Sequence, residues 1–249
     1  HEALDAIVTD LDDDAWSTPT PAEGWDVADQ IGHLTFFDRR ATMAVIDRDA
    51  FAADLAVAAR DIDAYLAGHL AATRSSSPDQ LTSLWRSTRD ELITTLAPLD
   101  PRERIPWYGP DMSARSFATA RLMETWAHGQ DIVDALGVHR APTNRLRHIA
   151  LLGVRTMGWS FTVNGLEPPQ ESVRVDLAGP LRDRWTWNDE VSLNVVRGDA
   201  EEFCLVVTQR RHLSDTNLEI TGPLAKQWMQ IAQAFAGPPG PGRSPGMFV

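Results

Sequence analysis

The spacing of apolar residues changes once along the chain, near residue 164. Upstream of this point, apolar side chains recur every three to four positions, as in residues 4–11, which is the repeat of an amphipathic helix. Downstream of the loop at 164–169, apolar and polar residues alternate, as in residues 173–177, which indicates short strands. A helical region followed by a mixed region predicts an α+β protein, and 249 residues suffice for two domains.

We place the domain boundary where this spacing changes. Residues 1–165 contain several long helical segments joined by short links, a pattern typical of a helix bundle. Residues 166–236 combine short strands with short helices and are predicted to form a small α+β domain. Residues 237–249 are rich in proline and glycine, which predicts a disordered tail.

The net charge of −12 comes from acidic residues spread along the chain. Nucleic acid is not expected as a partner, because its phosphates require a basic surface. No apolar run reaches the about 18 residues that cross a bilayer and no signal peptide is recognised, so we expect a cytoplasmic protein without a membrane partner. The single cysteine, Cys204, excludes an intramolecular disulfide, and its apolar neighbours favour a packed residue over a nucleophile. The composition specifies no oligomeric state.

The stretch from Ser113 to Gly137 is predicted to form one long helix, with Ser113 as N-cap and Gly137 as C-terminal stop. Glu124 and His128 are four residues apart, so they lie about one turn apart on the same face. Such a pair can bind a metal ion. It is also common as an exposed ion pair, and the spacing alone favours that simpler interpretation.

Two of the seven histidines, His33 and His128, lie in the middle of predicted helices among apolar or small residues. An unpaired imidazole would be costly to bury there, although a hydrogen-bonded core histidine explains either residue taken separately. His69, His139 and His148 have no acidic or histidine partner at ligand spacing. They are predicted to lie on solvated helix faces or to make ordinary hydrogen bonds.

Taken together, His33, Glu124 and His128 form a set of two imidazoles and one carboxylate from two helices. Facing helices of a bundle build metal sites from such side chains. Three ligands of this kind suit Zn²⁺ with an open fourth position, which is the catalytic arrangement. Other divalent ions bind similar ligands, so the residues specify a divalent metal more firmly than they specify zinc.

Three further features each have two interpretations. Asp131, one turn after His128, is either an acceptor that orients the imidazole or an exposed helix acid. Arg121, one turn before Glu124, either holds an anionic substrate or pairs with that carboxylate. The aromatic pair at 107–108, between two prolines, either covers a pocket or packs as a rigid loop.

Two stretches of the chain, TPAEGWDVADQIGHL at 20–34 and RLMETWAHGQD at 121–131, resemble the mycothiol-dependent maleylpyruvate isomerase family. His33, Glu124 and His128 match the three zinc ligands of that family in type, order and spacing. The second stretch is more similar to an uncharacterised actinobacterial branch of the family than to the isomerase proper.

The resemblance implies an N-terminal metal-binding four-helix bundle followed by a small sterol-carrier-like α+β domain. It also implies a divalent metal, Zn²⁺ first among the candidates, and mycothiol as a second cofactor. In the isomerase an arginine of the C-terminal domain reaches the active site, and the similar position here is Arg210. Gln209 stands where we expect the family's glycine, and the neighbouring Arg211 is the alternative for this role.

The favoured hypothesis is an enzyme that activates a low-molecular-weight thiol for isomerisation, conjugation or transfer on an electrophilic small molecule. Arg210, with Arg121, would steady an anionic group. One alternative is a thiol-independent cyclase or hydrolase of natural-product metabolism on the same scaffold, which predicts turnover without thiol. The other is a non-catalytic small-molecule-binding protein, which predicts a structural metal with every coordination position filled by protein.

Overall fold

The computed structural model describes residues 1–188 and 191–248. The chain is a mixed α+β protein that divides into two compact units, the first unit His1–His139 and the second unit Arg140–Val249. Among the described residues, no helix combines the length and the apolar character that crossing a membrane requires.

The first unit consists of helices and one short antiparallel hairpin. Its elements are α1 (Glu2–Val8), α2 (Asp13–Trp16), α3 (Val27–Ile46), α4 (Arg48–Ala58), α5 (Ile62–Thr73), α6 (Pro78–Leu96), β1 (Arg104–Ile105), β2 (Met112–Ser113) and α7 (Ala114–Leu136). Helix α3 is central, since α4, α5, α6 and α7 all pack against it. The four-helix-bundle description of this unit stays a prediction.

The two helices that carry the predicted metal ligands have well-defined ends. Asp26 and Asp29 form a reciprocal capping box that begins α3, each side chain accepting from the backbone N–H of the other residue. The Ser113 side chain accepts from the N–H of Ser116 and so caps α7, while Gly137, at φ +63°, ends it. Both predicted ends of the 113–137 helix are therefore confirmed.

A buried apolar cluster holds α3, α6 and α7 together. Ile31 and Leu34 of α3, Trp85 of α6 and Ile132 of α7 are fully buried in it. Each large apolar side chain removed from water stabilises the fold by about 1.5–3 kcal/mol. The cluster therefore fixes the position of α7 against α3, on which the geometry of the metal centre depends.

Gly32 allows α5 to approach α3 very closely. A Cβ atom at this position would lie 2.1 Å from the Cγ2 methyl of Thr73, far inside van der Waals contact. Because Gly32 directly precedes His33, the close approach lies beside a predicted metal ligand.

The second unit combines a four-stranded sheet with four α-helices among its described residues. Its elements are α8 (Leu146–Arg155), α9 (Met157–Val163), β3 (Arg174–Ala178), β4 (Arg184–Trp187), β5 (Val195–Asp199), α10 (Ala200–Val207), a 3₁₀ helix (Leu213–Asp215), β6 (Glu219–Thr221) and α11 (Pro223–Ile231). The strand order is β4-β3-β5-β6, in which β3 and β5 are parallel and the outer pairs are antiparallel. The sterol-carrier-like description of this unit stays a prediction.

The division between the units falls at 139/140, whereas the predicted boundary lies at 165/166. Helices α8 and α9 account for the difference, because α8 packs against α10 and α9 packs against α11. An amphipathic repeat shows that a helix covers a core but does not show which core it covers. The change of spacing near residue 164 coincides with the end of α9, and strand β3 follows later in the second unit.

Two smaller predictions concern the second unit. Cys204 is fully buried, and that burial raises the pKa of its thiol well above the usual range, which fits a packed residue. Residues 237–248 contain neither helix nor strand, and the side-chain amide of Gln233 donates to the carbonyl of Gly237. The predicted disorder of 237–249 stays a prediction, and Val249 lies outside the described residues.

Candidate metal centre

The structure brings the three predicted metal ligands together. His33 comes from α3, and Glu124 and His128 come from α7, one helical turn apart. One ligand atom of each residue lies within 4.8 Å of the other two. The imidazole rings of His33 and His128 have their centroids 4.4 Å apart, and Nε2 of His128 lies 3.3 Å from Oε2 of Glu124.

A chain of hydrogen bonds determines which nitrogen of the neutral His128 ring carries the hydrogen. The Thr20 hydroxyl donates its only hydrogen to the Trp25 carbonyl, at 2.9 Å, so it must accept from Gln30. The Gln30 amide therefore turns its NH₂ group toward Thr20 and its Oε1 atom toward Nδ1 of His128, which is 2.6 Å away. Nδ1 must then carry the hydrogen, and in the neutral ring Nε2 keeps its lone pair.

This tautomer fits a metal ligand. Nε2 of His128, which carries the lone pair, lies beside the Glu124 carboxylate, so both residues can bind one ion. The other ring nitrogen, Nδ1, donates to an acceptor that holds the ring in position. The orienting acceptor is Gln30, which is fully buried on α3. Asp131, considered for this role, is only 1% exposed, so the alternative of an exposed helix acid is wrong.

Aromatic side chains surround the two imidazoles. The Trp25 ring lies 5.1 Å from the His33 ring and stacks at 6.0 Å over the His128 ring, with 16° between the planes. Phe37, one turn after His33, contacts it from the other direction at 4.6 Å between centroids. These aromatic side chains reduce the access of water to the imidazoles. The lower local dielectric constant strengthens electrostatic interactions inside the site.

His69 is a further residue beside the centre that was not predicted to belong to it. It comes from α5, is only 6% exposed, and has its ring 5.6 Å from the ring of His33. Burial lowers the pKa of His69 to about 4, against a smaller opposing effect of the Leu66 carbonyl. His69 does not lie on a solvated helix face, and neither ring nitrogen makes a hydrogen bond of normal geometry to the described residues, so the prediction is wrong for His69. His139 and His148 are exposed, but only His148 lies on a helix, because His139 follows the end of α7.

Arg121 lies in a buried ion pair that links α7 to α3. Its Nε and Nη2 atoms donate to Oδ1 of Asp38 at 3.0 and 2.8 Å, and the Asp38 side chain is fully buried. Trp107 lies under the guanidinium, 5.9 Å from its centre. The pairing explains why a charged side chain is buried here. The catalytic role of Arg121 stays a prediction.

The aromatic loop at 107–108 packs on the first unit. Trp107 stacks on Phe51 with 5° between the rings and meets Phe117 edge to face. The hydroxyl of Tyr108 donates to Asp54 at 2.6 Å, and burial together with this bond raises the pKa of Tyr108 far above its usual value. Of the two interpretations of this loop, packing is the one seen.

Arg210 belongs to the second unit, directly after α10. Its Nη1 atom donates to the Thr208 carbonyl at 2.7 Å. Gln209 adopts φ +59°, a left-handed conformation that glycine adopts without strain, which fits the expectation of a glycine at this position. The roles predicted for Arg210 and Arg211 stay predictions.

Comparison with known proteins identifies the family of the chain. Residues 1–133 match the family model described as the mycothiol maleylpyruvate isomerase N-terminal domain. The chain is 49% identical over 240 residues to an uncharacterised protein of Mycobacterium tuberculosis strain CDC 1551 / Oshkosh, and equally to one of strain ATCC 25618 / H37Rv. Each alignment covers 96% of this chain and 93% of the relative.

Two crystal structures share the fold. The mycothiol-dependent maleylpyruvate isomerase and a histidine-to-alanine mutant of it give TM-scores of 0.55 and 0.54, at 15% identity. In both cases the match covers 84% of this chain and 85% of the other. The family model spans more than half of the sequence, so the chain belongs to the mycothiol maleylpyruvate isomerase family. Its mycobacterial relatives place it in an uncharacterised actinobacterial branch, as predicted.

Proposed function

We propose that this protein is a metal-dependent enzyme that activates a low-molecular-weight thiol, such as mycothiol, for attack on an electrophilic small molecule. The reaction would be an isomerisation, a conjugation or a transfer. The observation that carries the proposal is the meeting of His33, Glu124 and His128, with the His128 ring held in the tautomer a ligand needs. Family membership supports the choice of thiol.

The donor set fits a divalent ion. Two imidazole nitrogens and one carboxylate oxygen are the ligands of many catalytic zinc sites, and three protein ligands leave a fourth position for a small molecule. An ion there would lower the pKa of a bound thiol and so supply a thiolate near neutral pH. Zn²⁺ is the proposed ion, and the same ligands bind other divalent metals.

The protein's own residues would orient the reactants and exclude water. Gln30 fixes the orientation of the His128 ring, and Trp25 and Phe37 shield the imidazoles from solvent. As part of the proposal, Arg121 steadies an anionic group on the thiol or on the substrate, and the similar role of Arg210 stays a prediction.

Elemental analysis combined with calorimetry tests the proposal. Protein purified without chelators is expected to contain about one metal ion per chain and to bind mycothiol saturably. His128→Ala should remove both properties, whereas the matched control His148→Ala, an exposed position in the second unit, should leave both unchanged. Absence of metal and of thiol binding in the wild-type protein would disprove the proposal.

Measurements of turnover and of ligand exchange at the metal distinguish the two alternative functions. Turnover of a substrate without added thiol, at a rate that thiol does not change, would favour the cyclase or hydrolase. A metal that exchanges no ligand with solvent, together with no reaction toward thiols, would favour the binding protein.

A further inference from the structure

The imidazole of His69 is a buried polar group without a hydrogen-bond partner in the part of the chain that the structure describes. The residue is 6% exposed, and neither Nδ1 nor Nε2 makes a hydrogen bond of normal geometry to those residues. Buried polar atoms in native proteins are almost always paired with protein, water or ligand. A neutral imidazole offers one donor and one acceptor, so two bonding positions at His69 await a partner.

The packing of α5 against α3 holds this ring beside the metal centre. Thr73, which lies against Gly32, is one helical turn after His69, so the close helix contact sets the position of the His69 ring. The ring stacks on Phe36 at 4.3 Å and lies 5.6 Å from the His33 ring. Phe36 offers no conventional hydrogen bond, and the Leu66 carbonyl, although it acts on the pKa of the ring, makes no hydrogen bond of normal geometry with it. A well-aligned partner would therefore come from outside the described residues.

We propose that His69 is a ligand-binding residue of this centre, whose ring N–H donates a hydrogen bond to the small molecule held beside His33. The recognised group is an acceptor atom, such as a carbonyl or carboxylate oxygen or another anionic atom. A neutral donor in an apolar setting recognises such an atom strongly, because bulk water does not compete there. The inference rests on the metal centre proposed above but does not depend on mycothiol being the thiol.

A permanently bound water is the competing explanation. A water needs two to four polar partners, and it would satisfy His69 without any ligand. In that case His69 would contribute to folding and not to ligand affinity. The two explanations therefore differ in what the loss of the ring nitrogens does to binding.

The test uses the full chain loaded with Co²⁺, whose visible absorption reports on coordination, and azide as the probe. His69→Phe keeps a flat ring among the phenylalanines and removes both nitrogens, whereas His69→Gln keeps a donor and an acceptor. His139→Phe, at an exposed position of the first unit, is the matched control. Cobalt content, the azide dissociation constant and the thermal midpoint are measured for each variant.

We expect every variant to bind about one Co²⁺ per chain. His69→Phe should weaken azide binding about tenfold, the effect of one lost hydrogen bond in a dry site, while its thermal midpoint stays equal or rises. His69→Gln should retain affinity within about threefold, and His139→Phe should match the wild type.

Equal azide affinity in the wild type and His69→Phe would overturn the inference and leave the proposed function intact. Failure of the wild type to bind Co²⁺ would overturn both. If azide binding depends on His69 but the protein does not bind mycothiol, the inference about His69 holds and only the proposed thiol activation is disproved. If His69→Phe does not fold, His69→Met takes its place, because it also lacks ring nitrogens.

Discussion

Gln30 orients His128, and Gln30→Leu removes that orientation at nearly constant side-chain volume. Gln30 is fully buried, and its Oε1 atom accepts from Nδ1 of His128 at 2.6 Å. Leucine offers no acceptor, so the ring loses the bond that selects its tautomer and angle. Loss of such an outer hydrogen bond lowers metal affinity about 10–100-fold, which corresponds to about 1.4–2.7 kcal/mol.

The same substitution should also destabilise the metal-free protein. Gln30 loses its bond to His128 and its bond to the Thr20 hydroxyl, which is 2.9 Å away. The substitution leaves one donor, the Nδ1–H of His128, and one partly buried acceptor, the Thr20 oxygen, without their partner. An unpaired buried group costs about 1–3 kcal/mol, and part of that cost is recovered by the apolar side chain. We therefore expect the free energy of unfolding in urea to fall by about 1–3 kcal/mol.

Competition with a chromophoric chelator measures the Zn²⁺ affinity of each variant. Gln30→Glu keeps an acceptor opposite Nδ1, so this variant should retain metal affinity close to the wild type. It loses the donor to the Thr20 hydroxyl, whose only hydrogen goes to the Trp25 carbonyl, so its stability should still fall. Thr35→Val is the control, because it removes a buried hydrogen bond within the same helix, from the Thr35 hydroxyl to the Ile31 carbonyl, away from the metal ligands.

Wild-type affinity in Gln30→Leu would refute the reasoning that a single acceptor orients the ligand. An equal loss in Thr35→Val would show that helix stability, not ring orientation, controls metal binding. Nitrogen-15 chemical shifts of the His128 ring report which nitrogens carry hydrogen, and an Nδ1 atom without hydrogen in the metal-free wild type would contradict the hydrogen-bond chain.

Three further predictions concern the first unit. Gly32→Ala places a Cβ atom 2.1 Å from a Thr73 methyl, so it should force α5 away from α3. We expect a loss of about 1–3 kcal/mol of stability in thermal unfolding. Unchanged stability would contradict the close approach of the two helices. Tyr108→Phe removes the donor to Asp54 and should cost about 1–2 kcal/mol in urea unfolding with Zn²⁺ affinity unchanged; a loss of affinity would assign this loop to the site. The pKa of Asp5 is lowered to about 2, first of all by its hydrogen bond to an arginine. Its ion pair therefore stabilises the protein above the unfolded-chain pKa of 3.8 and loses this effect as the pH falls toward 2, so Asp5→Asn should flatten that part of the stability profile; an unchanged slope would contradict the pairing.

Sequence reasoning succeeded where one helix contained the whole pattern. Glu124 and His128 share a face because helix geometry places every fourth residue about one turn along, and Ser113 and Gly137 cap the helix through local backbone chemistry. His33, which lies far along the chain from the other two, joined the set as the second histidine in the middle of a predicted helix, and the resemblance to a family then supported it. The meeting of all three in one place is confirmed, while the binding of a metal there stays a prediction.

The same reasoning was wrong where alternation alone was used to locate strands and histidines were judged by their sequence neighbours. Alternation predicts a strand at 191–195 as it does at 173–177, but Val191 and Leu193 are exposed, and strand β5 pairs only from Val195 onward. His69 has no acidic or histidine neighbour at ligand spacing, and its partners Phe36 and His33 come from another helix.

The amino-acid sequence by itself determined the family, the change from a helical to a mixed region, and the identity of the three candidate ligands. Only the tertiary structure decided that Gln30 orients His128, that Arg121 pairs with Asp38, and that His69 lies beside His33. The physical reason is the distance along the chain over which each interaction acts. Periodicity and capping act over one or two turns of chain, whereas these contacts join segments that only the packing of α3 against α5 and α7 brings together.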